Sequence, residues 1–408
     1  MNILFFIKTA PGLNIDLTGT KDYSVARLYS IKKREPMNST KTFIKKEIVL
    51  TVSFVLAALS CLFVKPDSLY IGYIDFRTLS ILLALMLTMA GFQKQDVFLQ
   101  IGKKLVGRMS SIRGVSIILI ALCFFSSMFI TNDVALLTFV PFSIITLSIS
   151  GHEDLFIDVI VLETVAANLG SMLTPLGNPQ NLYLYSLSGM NLTEFIMLML
   201  PYSIAAGILL LIFAFFMVKP EPAALQEDSE FSGSKQRTMM IAMYILAFML
   251  SLLVVVRVLP YQMGLLAVLL LVLLFDREIL KKPDYSLLFT FVFLFIFIGN
   301  IKRIPFLSDI LKELVKLNEV GISILLSQFI SNVPAAILCS GFTEDIPKLI
   351  VGTNLGGLGT LIASMASLIS FKQYCGTEKA DTKKYLLVFT VINLIFLLAM
   401  AGVLMIIR

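Results

Sequence analysis

The sequence predicts an all-α polytopic membrane protein that contains two inverted repeats with re-entrant hairpins and broken helices. Composition is the first observation: 57% of the 408 residues are hydrophobic and 15% are charged, whereas soluble domains hold about 45–50% and about 25%. The second is a series of apolar stretches close to the roughly 20 residues that cross a bilayer. The third is a set of polar motifs that recurs in both halves of the chain. This composition excludes a soluble enzyme and a disordered chain.

Nine apolar stretches are assigned as full crossings, some of them interrupted: 47–64, 73–92, 155–186, 194–218, 238–256, 259–275, 286–300, 345–371 and 385–407. Two further apolar segments, 114–150 and 320–340, contain polar breaks at Thr131-Asn132-Asp133 and Ser331-Asn332-Val333-Pro334. Such a break is typical of a re-entrant hairpin, because irregular backbone at membrane depth is tolerated only against protein or water. Stretch 304–317 has helical apolar spacing and predicts an interfacial amphipathic helix. We therefore expect about nine full crossings plus two hairpins.

Lysine and arginine predict the orientation, since cytoplasmic segments hold an excess of both. With the N-terminus inside, the cytoplasmic segments hold 24 of the 33 such residues and the other segments hold 9. We expect a multi-pass protein of the cell membrane with its N-terminus in the cytoplasm and its C-terminus outside. Residues 1–46 carry the whole net charge of +6, which provides no basic face for nucleic acid. Residues 1–36 are either a cytosolic extension or precede a translation start at Met37, and both alternatives stay open.

The chain divides into a basic cytosolic segment 1–46, a first repeat 47–218, a linker with an unpaired span 219–258, and a second repeat 259–408. Three features occur in both repeats in the same order: an aspartate that opens a span (Asp75, Asp284), the pattern Ser-x-x-x-Ser/Thr-Asn (from Ser127 and from Ser327), and Asn-Leu-Gly followed by Thr (from Asn168 and from Asn354). Each repeat holds an even number of crossings, so the unpaired span inverts the second repeat. Inverted repeats with broken helices at corresponding positions indicate a secondary transporter with a site at the bilayer midplane.

The residue types at these breaks suit small ions. Carbonyl, hydroxyl and amide oxygens ligate a hard cation, whereas helix N-termini favour an anion. Asn178 and Asn181 add amides that hydrogen-bond a carboxylate or oxyanion. Asp133 and Glu163 lie inside apolar stretches, where an ionisable group is costly and indicates function; both are candidates for proton coupling. The alternative to ion binding is that small residues at the breaks only allow the helices to pack closely. Close packing does not require the Asn and Pro found there.

Several function classes have no support in the sequence. Its single histidine, His152, and its four scattered cysteines form neither a metal-binding nor a disulfide pattern. No G-x-x-x-x-G-K-[ST] motif for ATP is present. The H-E-x-x-H and G-x-S-x-G motifs are also missing, so we do not expect an enzyme or a cofactor other than the coupling ion.

Over residues 47–408 the sequence resembles the ion transporter superfamily, which includes divalent anion/sodium symporters, citrate transporter-like proteins, arsenite permease-like proteins and Na⁺/H⁺ antiporters. The hairpin breaks resemble the paired Ser-Asn-Thr tips of the symporters. Residues 170–181, Gly-Ser-Met-Leu-Thr-Pro-Leu-Gly-Asn-Pro-Gln-Asn, resemble their Gly-Gly-x-x-Thr-x-x-Gly-x-Pro-x-Asn broken helix. Asp133 and Glu163 are more similar to the permease and antiporter branch. Asp133 and Val333 replace the expected threonines, and the second break has Ser364-Met365-Ala366 in place of the Pro-x-Asn ending.

The resemblance implies an elevator-type homodimer in the lipid bilayer, with these sites. Its first cation site, where Na⁺ is the candidate ion, comprises Ser127, Thr131, Asn132 and Gly170. Its second comprises Ser327, Ser331, Asn332, Thr353, Asn354 and Gly356. The small anionic substrate lies between the tips and contacts Asn132, Asn332, Thr174 and Thr360, and the amides of Asn178 and Asn181 complete the substrate set.

The expected function is secondary active transport of an inorganic or carboxylic anion, coupled to Na⁺ or H⁺. One alternative is a Na⁺/H⁺ antiporter or arsenite permease-like protein that uses Asp133 and Glu163. Another is a passive anion channel, against which the acids at the breaks argue because they repel anions.

Overall fold

The computed structural model describes residues 47–222, 235–378 and 380–407. Residues 1–46, on which the predicted basic segment and the alternative start depend, lie outside this range. Eighteen α-helices occur in the described residues: α1 Ile48–Phe63, α2 Leu69–Tyr73, α3 Phe76–Lys94, α4 Val97–Val106, α5 Ile112–Ile130, α6 Asn132–Ile149, α7 Phe156–Gly170, α8 Pro179–Ser188, α9 Leu192–Met217, α10 Lys235–Val255, α11 Tyr261–Phe275, α12 Tyr285–Lys302, α13 Pro305–Leu317, α14 Glu319–Ile330, α15 Asn332–Ser340, α16 Ile346–Leu355, α17 Met365–Tyr374 and α18 Thr382–Ile407. The described part of the chain contains no β-strand. The all-helical prediction is confirmed.

Eight helical segments in the described residues are long and apolar enough to cross a membrane. They are α3, α5, α6, α7 with its flanking 3-10 turns, α9, α10, α12 and α18. Helices α1, α11 and α14 are apolar but shorter. Large apolar side chains on these helices, such as Leu398 and Ile406 of α18, are exposed, as expected for surfaces in lipid. A polytopic membrane protein is therefore confirmed.

The two segments expected to be hairpins differ in length. In the first, α5 and α6 have 19 and 18 residues, so each limb is roughly 27 Å long. In the second, α14 and α15 have only 12 and 9 residues. A polar break in an apolar segment has the same sequence pattern whether its limbs cross the bilayer or turn back. The sequence therefore located both breaks but did not predict the long limbs of the first.

Asparagine and aspartate side chains begin several helices. Asp75 accepts a hydrogen bond from the N–H of Thr78 (3.0 Å) and Asp284 from that of Leu287 (3.1 Å). Each carboxylate satisfies one of the N–H groups left unpaired at a helix start. The two aspartates predicted to open corresponding spans therefore cap α3 and α12 in the same way.

The helices form two groups. Helices α1, α3, α10, α11 and α12 pack on one another, and α5–α9 pack with α14–α18. An ion pair closes the first group at one end, where Lys94 Nζ lies 2.8 Å from the buried carboxylate of Asp276, which also accepts from the Tyr244 hydroxyl (2.8 Å). Both hairpins and both broken helices lie in the second group. This grouping places all candidate site residues in one body.

Candidate functional site

Both hairpins turn at a single residue with an unusual backbone conformation. Thr131 separates α5 from α6 with φ 67° and ψ 145°, and Ser331 separates α14 from α15 with φ 72° and ψ 155°. A non-glycine residue rarely adopts this conformation, which costs about 1–3 kcal/mol and persists only where the surroundings enforce it. The two predicted tips therefore have the same backbone geometry.

Each tip is hydrogen-bonded to a helix break. The N–H of Asn132 donates to the carbonyl of Gly177 (3.0 Å), and the N–H of Asn332 donates to that of Ala363 (2.9 Å). Gly177 lies nine residues after Asn168, and Ala363 lies nine after Asn354. The matched motifs of the two halves thus make the same contact in the same register. We call residues 171–178 the first break and residues 356–364 the second break.

Glycine allows each hairpin to approach its broken helix. A Cβ at Gly170 would lie 2.6 Å from the Ser127 hydroxyl and 2.0 Å from the carbonyl oxygen of Phe124. A Cβ at Gly356 would lie 2.6 Å from the Ser327 hydroxyl. Glycine is therefore required at both positions for close contact between helices.

Asn168 links the first tip to the second break. Its Oδ1 accepts from Asn132 Nδ2 (3.2 Å) and from the Ser364 hydroxyl (2.9 Å). Its Nδ2 donates to the Ser367 hydroxyl (3.3 Å). The side chain thus joins three elements that are distant in sequence: α7, α6 and the start of α17.

Asn354, the residue that matches Asn168, makes the reciprocal link. Its Oδ1 accepts from Asn178 Nδ2 (3.1 Å), and its own Nδ2 donates to Asn181 Oδ1 (2.6 Å). Asn178 and Asn181 stand ten and thirteen residues after Asn168, as Ser364 and Ser367 stand after Asn354. The broken helix of each half therefore binds equivalent positions of the other, and the two breaks form one cluster of uncharged polar side chains.

The predicted cation ligands lie beside this cluster with their hydroxyls bonded to their own helices. Ser127 donates to the carbonyl of Phe124 (2.9 Å), Ser327 to that of Ser323 (2.7 Å) and Thr353 to that of Leu349 (2.7 Å). A hydroxyl that donates still has lone pairs to offer a cation. Ser127 and Ser327 each lie four residues before the tip residue of their own hairpin.

The two threonines predicted to contact substrate bind the hairpin limbs instead of pointing freely into the cluster. The Thr174 hydroxyl donates to the carbonyl of Met128, and that of Thr360 donates to the carbonyl of Gln328 (2.9 Å). Thr174 is buried, whereas Thr360 is exposed. Each hydroxyl holds its break against the limb that precedes the tip.

The two acids predicted for proton coupling occupy different surroundings. Asp133 follows Asn132 in the first turn of α6, and its backbone N–H donates to Asn132 Oδ1 (3.0 Å). Glu163 is fully buried on α7; its Oε1 accepts from the Ser143 hydroxyl, and its Oε2 has no hydrogen-bond partner in the described residues. Asp133 therefore belongs to the tip, whereas Glu163 lies one to two helical turns before Asn168 on α7.

Eight helix ends meet at this cluster. The N-termini of α6, α8, α15 and α17 and the C-termini of α5, α7, α14 and α16 adjoin the two tips and the two breaks. An N-terminus carries roughly half a positive charge and a C-terminus roughly half a negative one. The cluster therefore offers partial charges of both signs, and no lysine or arginine of the described residues takes part in the hydrogen bonds that join its tips and breaks.

The cluster is closed in this conformation. Asn132, Asn168, Asn332 and Asn354 are each at most 5% exposed. A ligand reaches these four side chains only after the residues around them move apart.

Sequence reasoning did not select Asn168, Ser364, Ser367 and Gln328 as site residues. Asn168 was recognised only as the first residue of a matched motif, which was the available signal. Ser364 opened the Ser364-Met365-Ala366 sequence that replaces an expected Pro-x-Asn ending and was treated as a departure, whereas Ser367 was not considered. Their pairing with Asn168 depends on how the two halves pack, which the motif spacing within each half does not define.

This chain is similar to a known protein family and to individual known proteins. A model of the citrate transporter family matches residues 42–344. An uncharacterized transporter of Methanocaldococcus jannaschii is 36% identical over 295 residues, which cover 71% of this chain and 78% of that protein. The inner membrane protein YbiR of Escherichia coli is 30% identical over 303 residues, which cover 73% of this chain and 80% of that protein. The family match includes both tips and the first break and ends before the second break.

Proposed function

Because this chain belongs to the citrate transporter family, we propose that it is a secondary active transporter that moves an inorganic or carboxylic anion together with Na⁺ or H⁺. The observation that carries this proposal is the convergence of four helix N-termini and four helix C-termini on one buried polar cluster. N-termini attract the anion, and C-terminal carbonyls attract the cation. Citrate, the substrate in the family's description, is one carboxylic candidate.

The proposed coupling follows from electrostatics. A cation at the carbonyls and hydroxyls beside Ser127 and Gly170 adds positive charge next to the tip. The Asn132 and Asn332 side chains, at the N-termini of α6 and α15, then hydrogen-bond the anion. In a low-dielectric interior the two ions attract each other strongly, so each raises the affinity for the other. Movement of the loaded helix group past the surrounding helices, as an elevator within a homodimer, would carry both ions.

A Na⁺/H⁺ antiporter is the second candidate. The observation in its favour is Glu163, a buried carboxyl with one oxygen lacking a partner in the described residues. A carboxyl in this environment must hold a proton or a cation, since an isolated buried charge is very costly. Asp133, in the first turn of α6, adds a second acid at the tip.

Transport in proteoliposomes distinguishes the candidates. Vesicles are loaded with a pH dye, and an inward gradient of Na⁺ or of H⁺ is imposed with or without citrate, succinate, phosphate or arsenite outside. The proposal predicts uptake of at least one labelled anion that requires the gradient. Proton movement driven by Na⁺ with no anion present would favour the antiporter instead.

The proposed orientation has the N-terminus in the cytoplasm and the C-terminus outside. It rests on the excess of lysine and arginine in the segments assigned to the cytoplasm. Protease treatment of intact cells should remove a C-terminal tag and spare an N-terminal tag; the opposite result would invert the assignment.

A further inference from the structure

Helix α10 of the first helix group ends on an arginine in a left-handed backbone conformation. Arg257 has φ 65°. Its N–H donates to the carbonyl of Val254 (3.1 Å), and the N–H of Val258 donates to that of Leu253 (2.9 Å). These two bonds close a helix end in the Schellman motif, whose left-handed position is usually glycine. An arginine there costs conformational free energy that glycine does not, which indicates that its side chain has a function.

The Arg257 side chain reaches the second helix group. Its Nη1 donates to the carbonyl oxygen of Gly189 (3.2 Å) and its Nη2 to that of Tyr185 (3.3 Å), at the C-terminal end of α8. The guanidinium carbon lies 5.5 Å from the centroid of the Tyr185 ring, within the range of a cation–π contact. A cation favours this end of a helix because the last carbonyls lack helical partners and carry partial negative charge. A side chain of the first group therefore caps a helix of the second.

The opposite end of α8 lies at the first break. Asn178 precedes α8, and its Oδ1 accepts from the N–H of Asn181 (2.9 Å) while its Nδ2 donates to Asn354 (3.1 Å). The helix has ten residues and is therefore roughly 15 Å long. It connects the buried polar cluster to Arg257.

Another part of α8 meets the first group through aromatic rings. The ring of Tyr183 packs on those of Phe291 and Phe295 of α12, with centroids 6.2 Å and 5.4 Å apart. The Tyr183 hydroxyl bonds Ser340 of its own group (2.9 Å). Hydrophobic contact is non-directional, whereas a hydrogen bond weakens steeply when its geometry changes. The ring contact therefore permits sliding of α8, and the bonds of Arg257 oppose it.

We propose that Arg257 is a latch, a positioning residue that holds α8 and the buried cluster against the first helix group in this conformation and releases α8 when the second group moves. This inference rests on the proposed transport by movement of one group past the other. A latch differs from a simple helix cap in what its loss displaces. Without a cap only the end of α8 frays, whereas without a latch the whole second group changes position.

The test measures the distance between two nitroxide spin labels by double electron–electron resonance on the purified full chain. The four native cysteines are replaced by alanine, and the labels are attached at Lys281→Cys and Lys372→Cys. Both positions are exposed; Lys281 lies in the 3-10 turn after α11 of the first group, and Lys372 lies in α17 of the second. Neither label is on α8, so fraying of that helix alone leaves their distance unchanged.

The arginine is compared with Arg257→Gly, which suits the left-handed position and has no side chain, and with Arg257→Gln, which keeps a side chain without the charge. Arg113→Gln is the matched control. Arg113 also donates to a carbonyl at a helix C-terminus, that of Val218 (2.7 Å), and lies 4.3 Å from the centroid of the Phe215 ring. All of these contacts lie within the second group.

Loss of the latch frees the second group to leave its present position. The fraction of molecules outside the main label distance should therefore rise about threefold or more in both Arg257 variants and keep its original size in Arg113→Gln. Arg257→Gly should fold, because glycine is favoured at this helix end. An unchanged distance distribution in either Arg257 variant that folds overturns the proposal. The distances are measured without transport, so a failure of anion uptake refutes the proposed function separately.

Discussion

Replacing Gly170 by alanine tests the contact between the first hairpin and its broken helix. The added Cβ would lie 2.0 Å from the Phe124 carbonyl oxygen, whereas ordinary contact begins at 3.4 Å. Helices α5 and α7 must therefore separate by the difference, about 1.4 Å. Since the clashing atom belongs to the backbone, a side-chain rotation cannot relieve the overlap.

Two effects are expected from this displacement. Overpacking costs about 1–3 kcal/mol, which lowers the melting temperature by a few degrees. The bond from Asn132 N–H to the Gly177 carbonyl, 3.0 Å long, is stretched as the tip moves. Loss of one buried hydrogen bond of about 1.4 kcal/mol lowers anion uptake about tenfold.

The assay compares Gly170→Ala with Gly402→Ala in thermal melting and in proteoliposome uptake. Gly402 lies on the apolar helix α18, and a Cβ there has no heavy atom within 4 Å. We expect Gly402→Ala to keep or slightly raise stability, as alanine favours helix, and to keep uptake. If the Gly170→Ala and Gly402→Ala proteins have the same melting temperature and the same uptake, the close approach of the first hairpin to its broken helix is not needed for transport. The reasoning is then wrong.

Four other substitutions test three separate parts of the account. Asn132→Ala and Asn332→Ala should each abolish uptake while the protein still elutes as a single species in size-exclusion chromatography; full uptake in either variant would make that tip purely structural. Glu163→Gln keeps the size of the side chain but cannot ionise, so any dependence of transport on pH that arises at Glu163 should vanish, and an unchanged pH profile would exclude that role. Lys94→Ala leaves the Asp276 carboxylate without its cation and should lower the free energy of unfolding by about 1–3 kcal/mol, measured by thermal melting. This loss is smaller than that for a fully buried ion pair, because Lys94 is partly exposed. An unchanged melting temperature would show that the Tyr244 hydroxyl alone is enough to stabilise the Asp276 carboxylate.

The fold class was predictable because each sequence pattern that indicates it lies within one continuous stretch of the chain. Apolar stretches near 20 residues predict crossings without knowledge of their partners, and Asp75 and Asp284 each cap the helix that directly follows. The amphipathic stretch 304–317 likewise forms α13. The inverted relation of the two repeats and the elevator movement stay predictions, because they concern orientation in a bilayer.

The candidate site residues were predictable where their position follows from the sequence motif that contains them. The tips at Asn132 and Asn332 follow from polar residues inside apolar segments. The bonds of Asn168 to Ser364 and Ser367 do not follow, since these residues are about 200 positions apart. The contact of Gln328 with the second break was also missed, because glutamine in an apolar helix has no distinctive pattern until the break folds against it.

The most direct test of the central claim is the response of anion accumulation to a reversed cation gradient. Proteoliposomes with equal labelled citrate, succinate or phosphate on both sides receive an inward gradient of Na⁺ or H⁺, and then an outward one. The account predicts that at least one anion accumulates inside under the inward gradient and is expelled under the outward gradient, with both effects lost in Asn132→Ala. Flux that never departs from the equal distribution, whichever way the cation gradient points, would contradict secondary active transport.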